Sequence, residues 1–444
     1  MGLLLLLLLS VVFIVFSTTK LKLHPFLALL FAAIGFGLFS GMPLESIVES
    51  INGGFGDTLG KIGLVIILGV LIGAFLEQSG GAFAIAEKVL KIIGKKRVPL
   101  SMSIIGYIVS IPVFADSGFI ILLPLAKALS KRVKLSLAVA AIALSLGLLA
   151  SHTMVPPTPG PIAAAGILKA DLGLVIFWGL VVSILGLIPG FIFAKKVAAK
   201  FYIDPNPDFT EEEIRAKIKT APSASLALLP ILIPILLIVL KSFSAYAHWF
   251  DEGLLNKIIA FFGTPVIALL IGLLLAFLLP RKLEKKMFST DGWVGKALTD
   301  AAIILMITGV GGVFGKVLQN SELATVIGEQ LGQARLGMWL PFLIAAALKT
   351  AQGSSTVALI TAASIMAPLM SQLGFESEMA KALVVLAIGA GSAVVSHAND
   401  SFFWIITQMT GMDVATGYRL QSVGSGIMGT AAAVAVFVIW WFFV

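Results

Sequence analysis

Long apolar stretches separated by short polar breaks run along the whole chain. They lie near residues 3–19, 25–41, 61–77, 133–152 and 172–194, then near 224–241, 257–280, 297–317, 379–397 and 421–443. About 20 apolar residues carry a helix across the hydrocarbon core, so each run predicts a membrane span, five in each half of the chain. Two further apolar segments, 99–131 and 338–371, are interrupted midway by FADSG (114–118) and QGSST (352–356). Each predicts a re-entrant helical hairpin, because non-helical backbone at membrane depth is tolerated only where protein or a water-filled cavity satisfies it. The spans near 133–152 and 379–397 run into the polar, Pro-rich or Asn-rich stretches SHTMVPPTPGP (151–161) and SHANDSFF (396–403), and predict two broken helices, 133–168 and 379–410.

The expected fold is an all-α polytopic membrane protein. It has a first repeat over 1–196, a short connector over 197–222 with an amphipathic turn or two, and a second repeat over 223–444. The opening MGLLLLLLLSVVFIVF has no basic n-region and is followed by Lys20 and Lys22, so it reads as a retained span rather than a signal peptide. The halves carry matching landmarks. Gly69, Gly73, Ser79, Glu87 and Pro99 recur 242 positions later at Gly311, Gly315, Ser321, Glu329 and Pro341. Ser151-His152 recurs 245 positions later at Ser396-His397. With an odd number of spans, the repeats face opposite ways, the inverted arrangement of secondary transporters whose sites sit at the midplane. The pairs Gly69/Gly73 and Gly311/Gly315 are GxxxG spacings that predict close helix packing or a dimer face.

Composition sharpens the class. Apolar residues make up 59% of 444 and charged residues 12%, with mean hydropathy +1.05, which excludes an ordinary soluble domain. The net charge of +8 has no need of a nucleic-acid partner. The runs KIIGKKR, KALSKRVK, KKVAAK and RKLEKK fall on one side of the predicted topology, and the positive-inside rule makes that side cytoplasmic, with both termini outside. Cysteine is absent, so disulfides and thiolate metal sites are excluded. His152 and His397 lack the short spacing of a helical metal motif, which argues against a metalloenzyme and for no metal site.

The broken segments hold the candidate chemistry. Unwound backbone exposes N–H groups, and half-helix N-termini carry partial positive charge, so anions are favoured there. Ser117 and Gly118 at one tip, and Gln352, Gly353, Ser354, Ser355 and Thr356 at the other, add donors suited to a small polyhydroxylated carboxylate. Asp116, Asp400, His152 and His397 are ionisable groups at membrane depth, where an unpartnered charge costs at least roughly 2.5 kcal/mol. The carboxylates serve equally as helix N-caps, and the histidines as caps for freed carbonyls. Lys349 reads as a structural pairing partner or as an attractant for a carboxylate. Asp300 reads as a side chain that snorkels to the interface, and Trp249 as an interfacial anchor.

The stretches IPVFADSGFIILLPLAKAL, SHTMVPPTPGP, VSHANDSFFW and KTAQGSSTVALITAASIMAPL together resemble the gluconate permease family of bacterial sugar-acid symporters, within the ion transporter superfamily. The resemblance implies proton-coupled import of gluconate or a related hydroxy or amino acid across the inner membrane, without a cofactor beyond H⁺. It also implies an elevator-type moving domain on a homodimeric, lipid-embedded scaffold. The implied substrate site comprises Ser117, Gly118, Ser151, Thr153, Thr158, Gly353, Ser354, Ser355, Thr356, Ser396 and Asn399, with Asp116, His152, His397 and Asp400 coupling the proton. Sodium-driven members of the superfamily carry Ser-Asn-Thr at their tips. The tips here read ADSG and GSST, which favours H⁺ over Na⁺.

Overall fold

The computed structural model describes residues 2–94, 97–205, 221–246, 253–321 and 337–443, and within them it contains helices and no β-strand. The first half comprises α1 (Gly2–Thr19), α2 (Pro25–Phe39), α3 (Leu44–Gln78), α4 (Gly81–Ile93), α5 (Val98–Val109), α6 (Ala115–Arg132), α7 (Leu137–Met154), α8 (Pro159–Leu168) and α9 (Leu172–Lys196). The second comprises α10 (Ala224–Tyr246), α11 (Leu254–Phe262), α12 (Pro265–Ala276), α13 (Trp293–Asn320), α14 (Trp339–Gln352), α15 (Ser355–Met366), α16 (Glu378–Ala393), α17 (Ser401–Thr410) and, after a short turn of helix at Val414–Gly417, α18 (Val423–Phe443). The middle of the expected connector, Glu329 and Trp249 lie outside the described residues.

Among the described residues, six stretches are long and apolar enough to cross a membrane, and a seventh if α11 and α12, bent by 64°, count as one. The other expected spans are shorter apolar helices, such as the 15 residues of α2 and the 16 of α16. The bend at 263–264 has a local cause. Pro265 opens α12 without an N–H, and Gly263 lets the chain lie against the carbonyl of Leu237.

Helices stop and restart at four places in or beside the polar stretches. The first falls slightly earlier than FADSG, over 110–114, because Pro112 cannot extend α5, so Asp116, Ser117 and Gly118 form the first turn of α6. The second is Gly353 and Ser354, where Gly353 takes φ +88 and Ser354 caps α15. The third is 155–158, which holds a cis Pro156-Pro157 bond, and the fourth is 394–400.

Packing repeats between the halves. Helix α13 lies along α3, α5 packs on α7 as α14 packs on α16, and α7 meets α9 as α16 meets α18. The second arms cross over: α6 packs on α17 and α15 on α8. The window around α7 and α8 is 94% buried against 33% for the last helix, which puts the first broken helix at the centre and the last at the rim. Exposed side chains such as Ile184, Ile188, Leu232, Leu236, Leu270 and Leu274 form apolar outer faces suited to lipid.

The GxxxG pairs are spent inside the chain rather than on an external face. A Cβ on Gly69 would meet the Pro157 carbonyl at 2.7 Å, and one on Gly73 the Pro112 carbonyl at 2.2 Å. Gly311 lies against Ile360 and Ser364, and Gly315 against Ser364. The long helices therefore use their glycines to seat the broken segments.

Candidate functional site

Three helix N-termini converge on one cavity of about 370 Å³. They belong to α6 (Phe114 to Ser117), α15 (Ser354 to Thr356) and α17 (Asp400 to Phe402). The remaining wall is Leu149 and His152 from α7 and Asp300, Ile303 and Ile304 from α13. No side chain caps α6, so its first N–H groups keep their donor capacity. Ser354 Oγ accepts from Val357 N–H at 3.3 Å, and Asp400 Oδ1 from Phe402 N–H at 3.1 Å. Helix ends in this arrangement favour a bound anion.

The two site aspartates sit in different circumstances. Asp400 is buried against Lys349, with Nζ 2.6 Å from Oδ2, and accepts a further bond from Ser396 Oγ at 2.5 Å. Lys349 also donates to the Gly353 carbonyl. This cluster ties the end of α14 to the break before α17. Asp116 instead receives one hydroxyl, from Ser401 at 3.2 Å, which joins the first hairpin to the second broken helix. His152 faces Phe114 with ring centroids 6.0 Å apart, and its Nδ1 is buried with no hydrogen-bond partner.

Of the residues expected at the site, Asp116, Ser117, His152, Ser354, Ser355, Thr356 and Asp400 line the cavity. The others stand behind it. Gly118 makes room for Leu148. The hydroxyls of Ser151, Thr153 and Thr158 bond backbone carbonyls of their own segment at Leu148, Leu149 and Val155. Gly353 presses on the Asn399 carbonyl, where a Cβ would stand 2.1 Å away. Asn399 Nδ2 donates to the Thr350 carbonyl at 2.9 Å, and His397 Nε2 contacts the same oxygen at 2.7 Å. These two residues latch the fourth break to α14 rather than face the cavity.

Two residues outside the expected set belong to the site. Asp300 lines the cavity and also an adjoining vestibule of about 460 Å³, which shares Phe114 and Ser117 with it. Glu77, on α3, lines the vestibule and accepts a hydrogen bond from Ser117. Asp300 stands one helical turn before Ile303 and Ile304 on the same face of α13, a face that meets the cavity only through packing against the other helices.

A central cavity between crossed half-helices, at the core of a bundle with apolar outer faces, defines a membrane transporter. The chain belongs to the GntP family of permeases, whose model matches residues 2–442. It is 35% identical to a gluconate permease of Pseudomonas aeruginosa, covering 96% of this chain and 95% of that one. It is 32% identical to the D-serine transporter DsdX of Escherichia coli, over 98% and 97%. Its fold is similar to that of the YdaH transporter of Alcanivorax borkumensis, with TM-score 0.61, 15% identity and 90% of each chain covered.

Proposed function

We propose that this permease imports gluconate or a closely related sugar acid by H⁺ symport. The observation that carries the reading is the convergence of three half-helix N-termini on one cavity, with hydroxyls from Ser117, Ser354, Ser355, Thr356 and Ser401 around it. Helix ends hold the carboxylate and hydroxyls read the polyol. The volume falls within the roughly 300–1,000 Å³ of small-molecule pockets. Among the cavity's ionisable groups, Asp400 is neutralised by Lys349, which leaves Asp116, His152 and Asp300; of these, Asp116 and His152 stand at or beside the helix breaks and take up and release the proton.

The movement that exposes the site alternately is that of two inverted repeats, with α5 to α8 and α14 to α17 travelling as one body against a dimeric scaffold that includes α3 and α13. The matched packing of the halves and the crossing of α6 onto α17 and of α15 onto α8 support this reading. The vestibule opens on the side where the basic runs fall, the cytoplasm of a bacterial inner membrane, with both termini outside.

A second reading has its own support. Asp116 and Asp300 both line the cavity, and two carboxylates suit a substrate ammonium group such as that of D-serine. Uptake of labelled gluconate into proteoliposomes under an imposed pH gradient, with D-serine as competitor, tests both. Concentrative gluconate uptake abolished by a protonophore is the expected result. Collapse only on sodium removal overturns the proton assignment, and uptake of D-serine alone favours the second reading.

A further inference from the structure

Three of the few basic residues that the topology leaves outside the cytoplasm meet at one place. Lys61 on α3, Lys169 at the C-cap of α8 and Lys316 near the end of α13 line a small cavity of about 90 Å³ together with Asp57, Thr58 and Gln319. Lys61 and Lys169 are exposed and Lys316 is half-buried. Among the described residues no ion pair is formed by any of the three ammonium groups. Lysines that form no ion pair among the described residues, on the side that the positive-inside rule disfavours, have no topological reason to gather.

The place is the counterpart of the vestibule. Shifting Glu77 and Asp300 by 242 positions, forward and back, gives Gln319 and Thr58. Where one mouth carries carboxylates, the other carries an amide and a hydroxyl. The vestibule wall holds four carboxylates and two ammonium groups, whereas the small cavity holds three ammonium groups and one carboxylate. Helix α8, ten residues or about 15 Å long, joins this cluster to the break at 155–158. Between the two, Gly160 packs against Leu359 and Gly311 against Ile360.

We propose that Lys61, Lys169 and Lys316 form a capture site that gathers the anionic substrate at the closed outer mouth, ahead of the central cavity. This rests on the import reading given above. A lysine-lined cleft in low-dielectric walls raises the local concentration of an anion, and the acidic mouth opposite disfavours its return.

The test compares initial gluconate uptake by wild type, Lys61→Gln/Lys169→Gln/Lys316→Gln and the corresponding triple Arg variant in phosphatidylcholine proteoliposomes. It is run at about 10 mM and about 150 mM salt, where the screening length drops from about 30 Å to about 8 Å. At low salt the triple Gln variant should lose about tenfold in kcat/KM, the lower end of electrostatic enrichment. The gap should close at high salt, and the Arg variant should keep the wild-type value and salt slope. A Gln variant with wild-type kcat/KM, or with the wild-type salt slope as lipid anchoring would give, overturns the capture site alone. An inactive wild type overturns the import reading and the capture site with it.

Discussion

Replacing Lys349 by Met should be among the most damaging single changes in the protein. The side chains of Lys349 and Asp400 are only 1% and 6% exposed, and their N and O atoms are 2.6 Å apart. After Lys349→Met the carboxylate stays buried with two neutral donors, Ser396 Oγ and Phe402 N–H. Each bond from a neutral donor to the charged carboxylate contributes about 1.5–3 kcal/mol, and neither supplies a counter-charge. Removing one partner of a buried pair costs about 3–5 kcal/mol, so that is the loss expected for Lys349→Met. Asp400→Asn should cost less, because the stranded ammonium keeps the Gly353 carbonyl. The double variant should cost less than the sum of the singles by about 2 kcal/mol, within the range of coupled neighbours. Equilibrium unfolding of the purified protein in mixed micelles measures all three. Additive losses, or a loss under about 1 kcal/mol for Lys349→Met, would refute the assignment of this pair as the clasp between α14 and the break before α17.

Asp116→Asn should abolish concentrative uptake and leave a folded, membrane-inserted protein, read by counterflow and by gel filtration; full accumulation removes Asp116 from coupling. His152→Gln should impair proton-driven uptake with little loss of stability, since Nδ1 has no partner to lose. His397→Gln should do the reverse, costing about 0.5–1.5 kcal/mol for its bond to Thr350 while keeping the proton dependence. Gly73→Ala places a Cβ 2.2 Å from the Pro112 carbonyl and should cost about 1–3 kcal/mol together with most uptake. Gly315→Ala meets its nearest atom at 3.3 Å and should cost well under half as much, which thermal shift and transport on the same preparations will compare.

The sequence alone determined the helical class and, to within a few residues, four of the places where helices break; the bend at 263–264 inside an expected continuous span and the separate α4 were not legible. The class and those four breaks are local matters. An apolar run satisfies its backbone within itself, Pro112 and Pro157 withhold an N–H, and Gly353 accepts a positive φ wherever the rest of the chain goes. The site was half legible for the same reason: Asp116, Ser117, His152 and Ser354 to Thr356 stand at or beside breaks, and the breaks met. Where breaks are latched rather than open, as at His397 and Asn399, the same polar signal marks a clasp, and nothing local separates the two uses. Only the tertiary structure decided which charges are neutralised and which remain available. Lys349 is 51 positions from Asp400, and Lys61, Lys169 and Lys316 stand on separate helices. Spacing along one helix could not show Asp300 reaching the cavity, or Glu77 reaching Ser117, because both contacts join elements that pack across the bundle. The energy of a buried charge depends on what stands within a few ångströms of it, and that neighbourhood exists only once the helices have packed.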